Sequence, residues 1–223
     1  MRAIWVTLGL LAASLALFEF TLLDLRLQDQ FFNFETRRWL VDESAPFARL
    51  VFYNGPKALV WMIALTALVL ASGPARWRDR IRLDRRGLWL GVLVLATVPV
   101  VAGIGKNFTN VFCPSEIRRY GGDVAYVKLC EPYPADDRPP RDGGCFPAGY
   151  ASGGFALMGL LAVRATRRWR NGVIALGLGL GWWMGGYQML KGAHYLSHTV
   201  TTMLVAWLVV LIWQRVLRIS NPQ

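Results

Sequence analysis

Residues 85–106 read RRGLWLGVLVLATVPVVAGIGK. No charged residue interrupts the run between Arg86 and Lys106. A helix of about 20 mostly apolar residues crosses the roughly 30 Å of hydrocarbon in a bilayer, so this stretch predicts a membrane span at about Leu88–Gly105. Five further blocks of the same character lie on either side of it. They are about Ala3–Leu23, with Glu19 near its outer end, then Pro56–Ser72, Pro147–Val163, Gly172–Leu190 and Tyr195–Trp213. The fold class expected is all-α, a six-helix transmembrane bundle. It forms a single membrane domain over residues 1–223, with extracytoplasmic loops at about 24–55 and 106–146.

Loop charge gives the bundle its orientation. Arg76, Arg78, Arg80, Arg82, Arg85 and Arg86 lie between the second and third blocks. Arg164, Arg167, Arg168 and Arg170 lie between the fourth and fifth, with no acid among them. Arg2 opens the chain, and Arg215 and Arg218 stand near its end. Six crossings put all of these on one side. The other side is balanced, with five basic and five acidic residues from Asp24 to Lys57, and six of each from Lys106 to Phe146. Lys and Arg concentrate in cytoplasmic loops, so both termini are expected in the cytoplasm. The first block has no small-residue cleavage site after Leu23 and reads as a retained anchor.

The composition agrees. Apolar residues make up 54% of the 223 and charged residues 17%, against about 25% charged in ordinary soluble domains. The net charge is +11, but the excess sits at the ends of apolar blocks, where topology accounts for it. No basic-aromatic groove pattern or known nucleic-acid motif occurs, so no nucleic-acid partner is expected. All three cysteines, Cys113, Cys130 and Cys145, lie in the 106–146 loop. On the outer side of a bacterial inner membrane they can form one disulfide and leave one thiol. No closely spaced Cys-Cys or Cys-His pair suggests a metal site.

Three polar clusters fall at outer helix ends. The first starts at Lys106, after the third block, and Arg118 and Arg119 follow it. The second is Cys145-Phe146-Pro147-Ala148-Gly149-Tyr150, leading into the fourth block, where a helix N-terminus offers free N–H groups to an anion. The third joins Lys191 to His194 and His198, the chain's two histidines. These are four apart and so share one helix face. Cations, a helix N-terminus and a histidine converging on one side suit a phosphate ester. Histidine can attack phosphorus and cations stabilise the charged phosphoryl group. Read separately, the clusters have blander explanations in a snorkelling lysine, close helix packing through Gly and Ala and interfacial histidines.

In order and spacing these clusters resemble the signature of the type 2 phosphatidic acid phosphatase superfamily. That family's first motif is Lys, six residues, Arg-Pro; here Lys106, six residues, then Cys113-Pro114 stand in those places. Its second motif is Pro-Ser-Gly-His, and this chain has Pro147-Ala148-Gly149-Tyr150. The third is Arg, five residues, His, three residues, Asp, and here Gln188, His194 and His198 hold those positions. The run around them looks like a bacterial subgroup, and the resemblance covers Lys106 to His198 plus the topology. It implies a six-helix bundle of the type 2 phosphatidic acid phosphatase kind in the bacterial inner membrane, with a periplasmic active site, no metal and no cofactor. His194 would be the nucleophile that forms a phosphohistidine, and His198 would orient it in place of the aspartate. Lys106, Gly149, Ala148 and Gln188 would bind phosphate. Charge and proximity, not a motif match, add Arg119 and Lys191 as replacements for the missing arginines.

Tyr150 stands where the family has a histidine that protonates the leaving group. Tyrosine, with an ordinary pKa of about 10, is a poorer acid near neutrality. A phosphate leaving group needs little protonation, whereas an alkoxide needs much, so the substitution favours a diphosphate substrate, a slow enzyme or no enzyme. The expected partner is a phosphorylated lipid, and membrane lipids surround the bundle. A catalytically degenerate relative that binds anionic lipid or a partner protein is the alternative. A small-solute transporter fits less well, since the ionisable residues inside the predicted spans, Glu19 among them, lie close to span ends and not near mid-membrane.

Overall fold

In the computed structural model, which describes residues 1–42 and 44–219, the chain is mainly helical. Its first helix, α1 (Arg2–Phe20), is followed by the short α2 (Leu23–Gln28) and a two-stranded hairpin, β1 (Phe32–Asn33) with β2 (Arg38–Trp39). Next come α3 (Pro46–Arg49), a π turn over Leu50–Asn54 and α4 (Gly55–Ser72) in one continuous run. After α5 (Ala75–Ile81) the stretch quoted first forms α6 (Arg85–Lys106). The rest of the bundle is α7 (Gly149–Ala156), extended by a 3-10 segment over Leu157–Ala162, then α8 (Arg167–Leu190) and α9 (Leu196–Val216).

Local chemistry sets several helix ends. The Asp84 carboxylate accepts the Gly87 N–H at 2.6 Å and caps α6, and the Thr166 hydroxyl accepts the Trp169 N–H at 3.3 Å and caps α8. Each cap satisfies an N–H that has no partner within its helix. The arginines between α4 and α6 also have a structural role. Arg78, only 7% exposed, donates to the Leu70 and Gly73 carbonyls at 2.8 and 2.6 Å, and Arg85 donates to Ala71 at 3.2 Å, so both satisfy the last carbonyls of α4.

The core lies among α6, α7 with its 3-10 extension, α8 and α9. Leu90, Val94 and Val98 meet Ala148, Ala151 and Phe155, with Met158, Ala206 and Val210 closing the cluster. Where α7 crosses α8, a Cβ on Gly154 would stand 2.6 Å from the Gly181 nitrogen, so glycine there lets the two backbones touch. At the periphery α1 packs on α9 and leaves Trp5, Val6 and Leu10 more than half exposed, the pattern of a helix that faces lipid.

Among the described residues, four helices are long and apolar enough to cross a membrane: α1, the run Pro46–Ser72, α6 and α9. The protein is therefore a membrane protein. Two of the six expected spans fall short of those criteria. The fourth forms an apolar helix only over Gly149–Ala162, about two-thirds of the length a bilayer needs. The fifth, α8, has 24 residues and is long enough at about 36 Å, but arginines in its first turn and its many glycines dilute its apolarity. The second span also begins earlier than expected, at Pro46 rather than Pro56. A proline inside a helix leaves the carbonyl four residues back without its partner; here that carbonyl is Phe52's, and the π turn just before Pro56 accommodates the break.

The hairpin and the segment between α6 and α7 pack together. Phe32 and Trp39 of the hairpin pack with Tyr120, Phe112, Ile117 and Tyr195 in a second apolar cluster. Residues 107–148 form short 3-10 turns at Pro114–Glu116 and Arg118–Tyr120 and a single bridge between Ile117 and Val124, and Pro132–Gly144 is irregular, as its composition suggests. A disulfide joins Cys113 to Cys145, and Cys130 is an exposed free thiol.

Candidate functional site

Where the C-terminal ends of α6 and α8 meet the N-terminal parts of α4 and α7 lies a cavity of about 640 Å³. Its polar end is lined by Tyr53, Lys57, Lys106, Gly149, Tyr150, Gln188 and His194. Its walls continue down between α4 and α6 as Val60, Trp61, Ala64, Leu95, Pro99 and Val100. The cavity is thus amphipathic along its length, with charge at one end and hydrocarbon at the other.

His194 sits in the turn between α8 and α9. The Gln188 carbonyl accepts the N–H groups of Ala193 and His194 at 2.8 and 3.2 Å. The turn needs Gly192 for two reasons. Its φ is +75°, a region that only glycine enters without strain, and a Cβ would stand 2.2 Å from the Trp39 ring. The Gly192 carbonyl also accepts the Ser115 N–H at 2.9 Å, which ties this turn to the segment after Cys113.

The His194 imidazole is 6% exposed, and its Nδ1 lies 3.2 Å from Nδ1 of His198, in the first turn of α9. Two neutral rings at that distance share one proton, one donating and the other accepting. When Nδ1 of His194 donates, its Nε2 carries the lone pair. Burial first, then the nearby Lys106 and Lys191 ammoniums, pull the pKa of His194 down to about 3. Desolvation and cations both disfavour imidazolium, so the ring is neutral and nucleophilic at neutral pH. Accordingly, ¹⁵N-histidine NMR of the protein in detergent, with signals assigned by His198→Gln, should find His194 neutral down to pH 5. A midpoint near the ordinary 6.5 would overturn this electrostatic account. His198 is 1% exposed and borders, on its other side, a small cavity of about 30 Å³ shared with Asp24, Tyr126 and Ser197, enough for one water.

Lys106 ends α6 directly beside the start of α7. A Cβ built on Gly149 would lie 3.4 Å from Cε and 3.7 Å from Nζ of Lys106. The first turn of α7 has no side-chain cap and opens on the cavity at Gly149. Gln188 is 6% exposed, lines the same cavity, and its side-chain oxygen has no hydrogen-bond partner among the described residues. Lys191 stands 5.6 Å over the Tyr187 ring and 5.9 Å over the Tyr53 ring, beside the polar end. Lys106, Gly149, Gln188, Lys191 and His194 are therefore brought together, with His198 behind His194.

Arg119 and Ala148 are placed otherwise. Arg119 makes a bidentate ion pair with Asp29, Nε to Oδ1 at 2.7 Å and Nη2 to Oδ2 at 2.6 Å, which holds the Asp29 carboxyl below its usual range. It braces the long loop against α2 and does not line the cavity. The Ala148 N–H is directed to the His198 carbonyl at 3.4 Å and so does not face an anion. Tyr150 lines the cavity, but its hydroxyl donates to the carbonyls of Phe52 and Tyr53, at 2.9 and 2.6 Å.

Three features were not among the residues chosen from the sequence. Lys57 lines the cavity; its position just after Pro56, at an outer helix end, was the available signal. The Asp24 carboxylate accepts the Ser197 N–H at 2.9 Å and so caps the helix that carries His198. The disulfide places Cys145 Sγ 3.4 Å from His194 Nδ1. Cys113, Cys145 and His194 bring three possible metal-ligand atoms within 4.8 Å of one another, but the two sulfurs are bonded to each other, so the cluster offers no thiolate.

Among known proteins, the family model described as PAP2 superfamily matches residues 87–221. No curated protein and no solved structure matches the chain.

Proposed function

The chain belongs to the PAP2 superfamily, and from that premise we propose that it removes phosphate from a lipid-linked phosphate or diphosphate at the periplasmic face of a bacterial inner membrane. The family's general chemistry is hydrolysis of phosphate esters. The observation that carries the lipid reading is the single cavity in which Lys106, Gly149, Gln188 and His194 meet at the head of an apolar slot. A phosphate headgroup suits the first part and a hydrocarbon chain the second.

In this mechanism Nε2 of His194 attacks phosphorus while Nδ1 keeps its proton on the hydrogen bond to His198. The Lys106 ammonium and the first-turn N–H groups of α7 neutralise charge on the phosphoryl oxygens as it moves. Water then attacks the phosphohistidine, releasing orthophosphate and restoring His194. None of these steps requires a metal ion.

Purified protein in detergent, given a panel of lipid monophosphates and diphosphates, is expected to release phosphate in the presence of a chelator. Binding of anionic lipid without turnover would favour the alternative, a catalytically degenerate relative. The commitment of the Tyr150 hydroxyl to backbone carbonyls is the observation that keeps that alternative in view. Orientation has its own test. Cys130 is exposed, so a membrane-impermeant maleimide should label it from outside intact spheroplasts, and labelling only after lysis would overturn the periplasmic placement.

A further inference from the structure

The cavity is lined by a lysine with no place in the family pattern, Lys57, and the tyrosine that replaces the family's proton donor braces the helical turn before it. Lys57 follows Pro56 directly, inside the continuous helical run from Pro46 to Ser72. The cavity that Lys57 lines is the one containing Lys106 and His194.

Tyr150 fixes the turn that carries this lysine. Pro56 has no N–H to give the Phe52 carbonyl, and the Tyr150 hydroxyl reaches across from α7 to donate to that carbonyl at 2.9 Å and to Tyr53 at 2.6 Å. The Tyr150 ring stacks on Tyr53 with centroids 4.5 Å apart and planes 14° apart. Over the Tyr53 ring, each 5.9 Å from its centroid, lie the ammoniums of Lys57 and Lys191. The proton of Tyr150 is thus used on the backbone, and its geometric effect is to brace the ring over which a cation of this cavity lies.

We propose that Lys57 stabilises the departing phosphate in place of a proton donor, that Tyr150 is a positioning residue for it, and that the substrate class is therefore a lipid diphosphate rather than a monoester. This rests on the phosphatase reading above and narrows it. His194 Nε2 bonds to the terminal phosphorus, and the bond from that phosphorus to the bridging oxygen breaks. The electron pair stays on the bridging oxygen, and the lipid monophosphate leaves as an anion paired with Lys57. Water later attacks the phosphohistidine, one of its protons leaves to solvent, and orthophosphate departs. An alkoxide leaving group would instead need the proton that Tyr150 has committed elsewhere.

The test compares farnesyl diphosphate with farnesyl monophosphate, a pair differing by one phosphate. Wild-type protein should favour the diphosphate in kcat/KM by about 100-fold or more, the scale of one well-placed electrostatic group. Lys57→Gln should lower kcat on the diphosphate by about 100-fold and lower the slow monophosphate reaction about tenfold less, whereas Lys57→Arg should retain most diphosphate activity. Tyr150→Phe keeps the stacked ring and removes the hydroxyl; it should lower the diphosphate-to-monophosphate ratio roughly tenfold, the effect of one lost hydrogen bond. A purely structural role for Tyr150 would lower both substrates together. Equal losses on both substrates in Lys57→Gln, or a wild-type preference for the monophosphate, would overturn this proposal while leaving phosphatase activity established. Turnover of neither substrate would overturn it together with the reading it rests on.

Discussion

His194→Gln is expected to lower phosphate release by about 10⁴-fold or more, because it removes the nucleophile and not an accessory group. Glutamine is the informative replacement. Its amide is close to imidazole in size and polarity, so the buried site beside His198 keeps its packing. The hydrogen bond at 3.2 Å between the two rings can be remade by the amide, while the covalent intermediate cannot form. Wild-type protein quenched during turnover should carry phosphate that is labile in acid and stable in base, the behaviour of a phosphoramidate, and His194→Gln should carry none. His198→Gln should be milder, about 10- to 100-fold, since it disturbs orientation and leaves the nucleophile in place. A His194→Gln protein retaining a tenth of wild-type turnover would refute the phosphohistidine mechanism, whatever else the cavity does.

The second large effect concerns stability and activity together. Removing the Cys113–Cys145 disulfide, which closes a loop of 32 residues, is expected to destabilise the outer part of the protein by about 3–4 kcal/mol on loop-closure entropy. It should also reduce activity, because Cys145 Sγ lies 3.4 Å from His194 Nδ1 and Ser115, two residues after Cys113, bonds the Gly192 carbonyl. The cross-link therefore holds two of the three sequence clusters against the third. Reductant, or the double change Cys113→Ser with Cys145→Ser, should lower the midpoint of thermal inactivation in detergent by several degrees. Cys130→Ser should not. Thiol titration of denatured protein should count one group before reduction and three after. Equal sensitivity of the Cys130→Ser protein would contradict both the pairing and its role.

Much of the architecture could be read from local windows of sequence. Apolarity over about 20 residues is a property of the window itself, so α1, α6 and α9 were identified at nearly their full lengths. The same property is blind to what a helix packs against. The Gly149–Ala162 segment is apolar and small-residued because it is buried inside the bundle against α6 and α8, and its length falls short of a bilayer. The glycines that dilute the apolarity of α8 include the one that lets it touch α7. Window hydropathy registered the composition and missed its cause.

The site divides along the same line. The types and spacing of Lys106, Gly149 and His194 sufficed to identify a phosphate chemistry and its family, since each motif is a few residues on one helix end. Which further groups join them depended on contacts between distant parts of the chain. Tyr150 meets Phe52 across 98 residues and Arg119 meets Asp29 across 90. No local rule predicts that the first becomes a brace and the second a remote ion pair. Membrane character and family followed from the sequence because they depend on local apolarity and motif. The disulfide partner, the bracing role of Tyr150 and the convergence of Lys57 with Lys106 were decided by tertiary packing, because a hydrogen bond or charge pair acts over a few ångströms of space, and only the folded chain determines which residues come that close.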